Sequence, residues 1–114
     1  LRGYGYLAAY CASKHGLVGL TRALAMEYAE KGVTVNTICP GYVESPLLDA
    51  AIANIVDKTG RDADEVRLEL EARNPQRRFL EASEVAATCI FLASEAAKGI
   101  NGQAISICGG ELNV

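Results

Sequence analysis

Along this 114-residue chain stretches of helically spaced hydrophobic residues give way to short β-branched or apolar runs. In "YLAAYCASKHGLVGLTRALAMEYAEKG", which starts at Tyr6, Leu17, Leu20, Thr21, Leu24 and Tyr28 recur at spacings of three and four. That spacing predicts one face of a long helix. Gly32, behind Glu27, Glu30 and Lys31, predicts its end, because glycine adopts the left-handed cap conformation without a Cβ penalty. The β-branched run "VTVNTICPG" then predicts a buried strand that breaks into a loop at Pro40 and Gly41. Helix, tight turn and strand make half of an α/β unit. Beyond it, Leu47, Leu48, Ile52, Ile55 and Val56 predict an amphipathic helix broken at "KTGRD". A second helix is expected from Asp62, with Glu65 completing a capping box and Val66, Leu68 and Leu70 forming a mixed face. A third, from Ser83 through Val85, Ala86, Cys89, Ile90 and Leu92, is apolar enough to predict burial. "GQAISICGG" reads as a last strand closed by two glycines, and the chain contains no repeat.

Composition narrows the function classes. Half the residues are apolar, enough for part of a packed core, and the formal charge is −3. Apart from Arg77 and Arg78 the basic residues are scattered, so no stripe matches a phosphate backbone, and nucleic acid is not an expected partner. Glu, Lys, Gly or Asn interrupts every apolar stretch before the ~18 residues of a membrane helix. A soluble protein without membrane contacts is expected. Cys11, Cys39, Cys89 and Cys108 lack C-x-x-C spacing, which predicts isolated buried thiols in a reducing cytoplasm and no metal site. No secretory segment is read ahead of them, and the opening on Leu1 is read as that of a fragment.

The candidate chemistry lies in "YCASKHG". On a helix, residues four apart share a side, so the Tyr10 phenol and the Lys14 ammonium are expected to point into the same space. A tyrosine's ordinary pKa of about 10 makes it a poor acid or base at neutral pH, and a neighbouring positive charge lowers it. A tyrosine tuned this way can give a proton to a carbonyl oxygen as hydride reaches the carbon, or take it back in reverse. The pattern is short, and many helices carry such a pair without function. Of the five tyrosines, however, only Tyr10 has a lysine four residues on, and Ala8, Ala9, Cys11, Ala12 and Ser13 around it leave room for another molecule.

The Y-x-A-S-K core, the "V-x-V-N" strand, the "P-G-x-V" turn with a hydroxyl residue two places on, and the terminal "N-G-Q-x-I-x-x-x-G-G" occur in that order. Together they resemble the short-chain dehydrogenase/reductase family over nearly the whole chain. The resemblance implies an α/β fold: the C-terminal part of a Rossmann-like, doubly wound parallel sheet in three α/β/α layers, with residues 1–114 forming one segment of the dinucleotide-binding domain. It implies Tyr10 as catalytic acid/base and Lys14 as its activator and a ligand of the nicotinamide ribose. Pro40, Gly41 and Val43 match the cofactor loop beyond a parallel strand. Val43 would offer backbone groups to the carboxamide, and Ser45 would contact the cofactor, cap the following helix, or do both.

Other residues have plainer readings. His15 is read as a surface or packing residue, and Asn36 as a structural one that bonds backbone near the sheet end. Ser13 is not the family's catalytic serine, which, with the glycine-rich loop and the residue that selects NAD or NADP, is expected upstream of Leu1. These residues alone are therefore expected to be inactive. Residues 46–80 resemble the family's substrate lid, and "NPQRRFLEASEVA" looks like the exit of 3-oxoacyl thioester reductases and hydroxyacyl or hydroxybutyrate dehydrogenases. Arg77 and Arg78 could meet an anionic carrier, or form a solvated basic pair. The implied activity is NAD- or NADP-dependent interconversion of a ketone and a secondary alcohol. Polyol, sugar or other small alcohols, and a non-catalytic relative, stay open as alternatives. The implied assembly is a homotetramer through the Tyr10 helix and the Ser83 helix.

Overall fold

The computed structural model describes residues 8–112. In chain order these form α1 (Ala8–Tyr28), β1 (Thr37–Pro40), α2 (Pro46–Thr59), α3 (Ala63–Glu71), α4 (Ala82–Leu92) and β2 (Ala104–Ile107). Single 3-10 turns at Ala29–Lys31 and Glu95–Ala97 close α1 and follow α4. Tyr6 and Leu7, where the sequence begins the first helix, lie outside the described residues. The two strands pair directly. The Thr37 N–H donates to the Gln103 carbonyl at 2.9 Å and the Gly41 N–H to the Ile107 carbonyl at 2.8 Å, so both strands advance together and the sheet is parallel. Helices joined through parallel strands define an α/β fold.

The described residues fall into two compact units. The first takes in the chain up to Cys39 together with Ala87–Ser106. Here α1 ends as its sequence predicts: Gly32 has φ 72° and returns its N–H to the Ala29 carbonyl. The buried line on α1 is Val18, Thr21 and Ala25; of the expected stripe Thr21 is buried and Leu24 half-buried, while Leu17, Leu20 and Tyr28 are exposed. The small residues are the ones that permit close approach, as Gly102 shows: a Cβ there would lie 3.3 Å from that of Ala25. Asn101 fixes this contact. Its Nδ2 donates to the Ala25 carbonyl at 3.2 Å and its Oδ1 accepts the Val35 N–H at 2.9 Å. Asn36 does the same one residue along, donating to the Ile100 carbonyl at 2.8 Å and accepting the Gln103 N–H at 3.1 Å. It serves the backbone near the sheet end, as its position predicts.

The second unit holds Pro40–Ala86 and the chain from Ile107 on. Ser45 caps α2, with Pro46 at its first position, and Gly60 ends it at φ 69°. Asp62 caps α3 by accepting the Glu65 N–H at 3.2 Å. The Glu65 carboxylate turns to Arg61 at 3.4 Å, so this end carries half of the expected capping box. Leu48 and Ile52 of α2 pack with Val66 and Leu70 of α3 and with Phe79 to form the core, flanked by Ile55 and Val56. Leu68, on the other side of α3, is 65% exposed.

The expected burial of the third helix does not hold. No residue of α4 is buried, and Ile90 and Phe91 are exposed. Its sequence is apolar on nearly every side, a pattern that buries a helix only where other layers surround it. Its first turn is held by Glu84, whose Oε2 accepts the Glu81 N–H at 2.7 Å, the second half of a capping box, rather than by Ser83. The cysteines differ from expectation as well: Cys108 alone is buried, Cys11 and Cys39 are half-buried, Cys89 is exposed, and all four are free thiols. Among the described residues no helix is long and apolar enough to cross a membrane.

Candidate active site

Tyr10 and Lys14 lie one turn apart near the start of α1, and the structure brings them together. The Lys14 Nζ stands 5.4 Å from the centroid of the Tyr10 ring. This is cation–π distance, with the charge over the face of the ring rather than at its hydroxyl. Tyr10 is 56% exposed. Its neighbours turn their polar atoms back onto the helix: Ser13 Oγ donates to the Tyr10 carbonyl at 2.9 Å, and His15 Nδ1 pairs with the Cys11 carbonyl at 2.7 Å. His15 thus has the local, exposed role read from the sequence.

Pro40, Gly41, Val43 and Ser45 belong to the second unit and form one continuous loop from the end of β1 to the start of α2. Gly41 has a packing reason of its own, since a Cβ there would lie 3.3 Å from the Cys108 Cα. A short parallel bridge pairs Val43 with Leu80. Its two hydrogen bonds are the Glu44 N–H to the Leu80 carbonyl at 2.8 Å and the Leu80 N–H to the Tyr42 carbonyl at 2.9 Å. Successive backbone groups of a strand point to opposite sides, so the N–H and carbonyl of Val43 itself face away from Leu80. Ser45 Oγ donates to that carbonyl at 3.1 Å and accepts the Leu48 N–H at 3.2 Å. The hydroxyl's only proton is then committed, while one acceptor lone pair is left.

Leu80 and Arg67, which hold this loop, were not read from the sequence, nor was Asn74 beside Gly109. Leu80, 1% exposed, anchors the bridge. Its one legible signal is the apolar pair Phe79–Leu80 within a polar segment. Asn74 is buried, and its side chain occupies the space that a Cβ on Gly109 would need. Arg67 reaches back from α3 to Glu44. Arg78, read as half of a basic pair, is engaged by Glu84 through bonds of 2.8 and 2.5 Å. These bonds, with the Glu81 N–H, pull the Glu84 carboxyl down from its ordinary value of 4.5 to about 2. Arg77 holds a left-handed backbone, φ 57°.

A parallel strand ending in a loop, with helices before and after, is the ligand-binding arrangement of open α/β sheets. The family described as enoyl-(acyl carrier protein) reductase matches residues 1–111. A putative ketoacyl reductase of Streptomyces coelicolor is 38% identical over 96% of this chain and 42% of its own length. The D-beta-hydroxybutyrate dehydrogenase of Rhizobium meliloti is 40% identical over 92% of this chain and 41% of its own. Among solved structures, a variant actinorhodin polyketide ketoreductase with NADPH superposes with a TM-score of 0.89 at 38% identity, over 96% of this chain and 42% of that one. The chain belongs to the short-chain dehydrogenase/reductase family. It spans about two fifths of the length of these relatives.

Proposed function

We propose that these residues are the C-terminal segment of an NAD- or NADP-dependent oxidoreductase that interconverts a ketone and a secondary alcohol. The carrying observation is the exposed Tyr10 with the Lys14 ammonium held over its ring, on a chain similar to ketoacyl reductases and hydroxybutyrate dehydrogenases. The dinucleotide would supply or accept the hydride. Tyr10 Oη gives a proton to the carbonyl oxygen in reduction and takes it from the alcohol in oxidation. Lys14 places a positive charge beside the phenol and would hold a hydroxyl of the nicotinamide ribose. The loop residues fit an amide-bearing ring: Val43 turns its backbone away from the bridge, Ser45 retains an acceptor, and Pro40 and Gly41 carry the chain out of β1.

Residues 46–80 form the substrate lid, and the names of the relatives favour a 3-oxoacyl or 3-hydroxyacyl substrate. The chain spans about two fifths of the length of these relatives, and the serine partner and the glycine-rich phosphate loop would come from the remainder of such a domain. The exposed apolar residues of α1 and α4 suit interfaces of a cytoplasmic homotetramer. The test is Tyr10→Phe in the full-length protein: turnover of a 3-oxoacyl thioester falls by ~100-fold or more while dinucleotide binding is kept. Retained turnover would take Tyr10 out of the mechanism.

A further inference from the structure

Glu44 stands between Val43 and Ser45, and its side chain leaves the loop for α3. There the Arg67 guanidinium forms a hydrogen-bonded ion pair with it. The same guanidinium lies 3.7 Å from Asp49 in the first turn of α2, and 4.9 Å over the ring of Phe79. Phe79 belongs to the buried core and directly precedes Leu80, the anchor of the bridge to Val43. One side chain therefore touches the loop, the start of α2 and the core residue beside the bridge. Arginine suits this place for a physical reason. Its planar group can lay its face on an aromatic ring while its edge donates to carboxylates, which a lysine ammonium cannot do together.

We infer that Arg67 is a positioning residue for the cofactor loop, holding Glu44 so that Val43 and Ser45 on either side of it are presented in one geometry. The inference rests on the proposed reading of Val43 and Ser45 as dinucleotide contacts. Arg67 touches no reacting atom. Its effect is on how often the loop is binding-competent, because apparent affinity scales with that fraction. The side chains of the pair are 35% and 48% exposed, so the effect is modest and sensitive to salt.

The test is calorimetric titration of NADH and NADPH into the full-length protein and its Arg67→Met, Glu44→Gln and double variants, with thermal melts alongside. Each single variant is expected to raise the dissociation constant of the preferred dinucleotide about two- to fivefold. The double variant is expected to be no weaker than either single. The gap from wild type should close at about 1 M salt, where the pair is screened. A purely structural role would instead lower the melting temperature and the number of competent sites at an unchanged dissociation constant. Unchanged constants, additive losses or a gap that persists in high salt would overturn the inference while leaving the proposed function standing. A wild-type protein that binds neither dinucleotide would end both.

Discussion

Truncation of Leu80 tests the loop's anchor most directly. Among the described residues Leu80 is the one large side chain with almost no exposure, and its backbone makes both bonds of the bridge to residues 42–44. Leu80→Ala removes three buried carbons, worth about 0.8 kcal/mol each in transfer from water, or about 2.4 kcal/mol together. Incomplete collapse of the site adds a cavity penalty, which places the total at roughly 3 kcal/mol within the usual 2–5 range. For a domain of the relatives' size that is a fall in melting temperature of about 6 to 12 °C. Leu68→Ala is the internal control: the same atoms are lost from a side chain that is 65% exposed, and the cost should stay within about 0.5 kcal/mol. Circular dichroism melts of the full-length protein and both variants supply the measurement. Equal melting temperatures for the two variants would refute the assignment of Leu80 as the buried anchor.

Two further tests address the surroundings of the loop. Gly109→Ala should destabilise by several kcal/mol, because Gly109 has φ 62° and its new Cβ would meet the buried Asn74 side chain. Gly60→Ala, at φ 69° with open space around it, should cost only about 1 kcal/mol, and denaturant midpoints that rank the two in the opposite order would discredit this packing. The Arg78–Glu84 pair makes stability depend on pH. Since folding holds the Glu84 carboxyl at about 2, below its ordinary 4.5, its contribution is complete above pH 4.5 and disappears as pH falls through about 2. The difference in melting temperature between wild type and Glu84→Gln should be level at neutral pH and narrow only below pH 4.5; a difference that narrows as pH rises would contradict it.

Much of the local architecture is legible in the sequence. Gly32, Ser45, Pro46, Gly60 and Asp62 mark helix ends at the positions found; of the β-branched run at residues 33–39 only Thr37 onward is strand, and β1 takes in Pro40, while β2 lies within "GQAISICGG". Burial is less legible. On α1 Leu17 and Leu20 are exposed and Leu24 half-buried while Val18, Thr21 and Ala25 are covered, and the most apolar helix has no fully buried residue. Periodicity states which residues share a face. It does not state whether another element lies against that face.

The same division runs through the site. The pairing of Tyr10 with Lys14, the caps and the turn at Pro40 and Gly41 depend on residues within about one turn of one another, where chain geometry alone sets the distances. The sequence by itself therefore determined the pairing of Tyr10 with Lys14 and the punctuation of the loop. That Glu44 meets Arg67, that Val43 lies beside Leu80, and that Asn101 ties Val35 to Ala25 were decided only by tertiary structure. These contacts join residues far apart along the chain, and they exist only once the strands pair and α2 folds against α3.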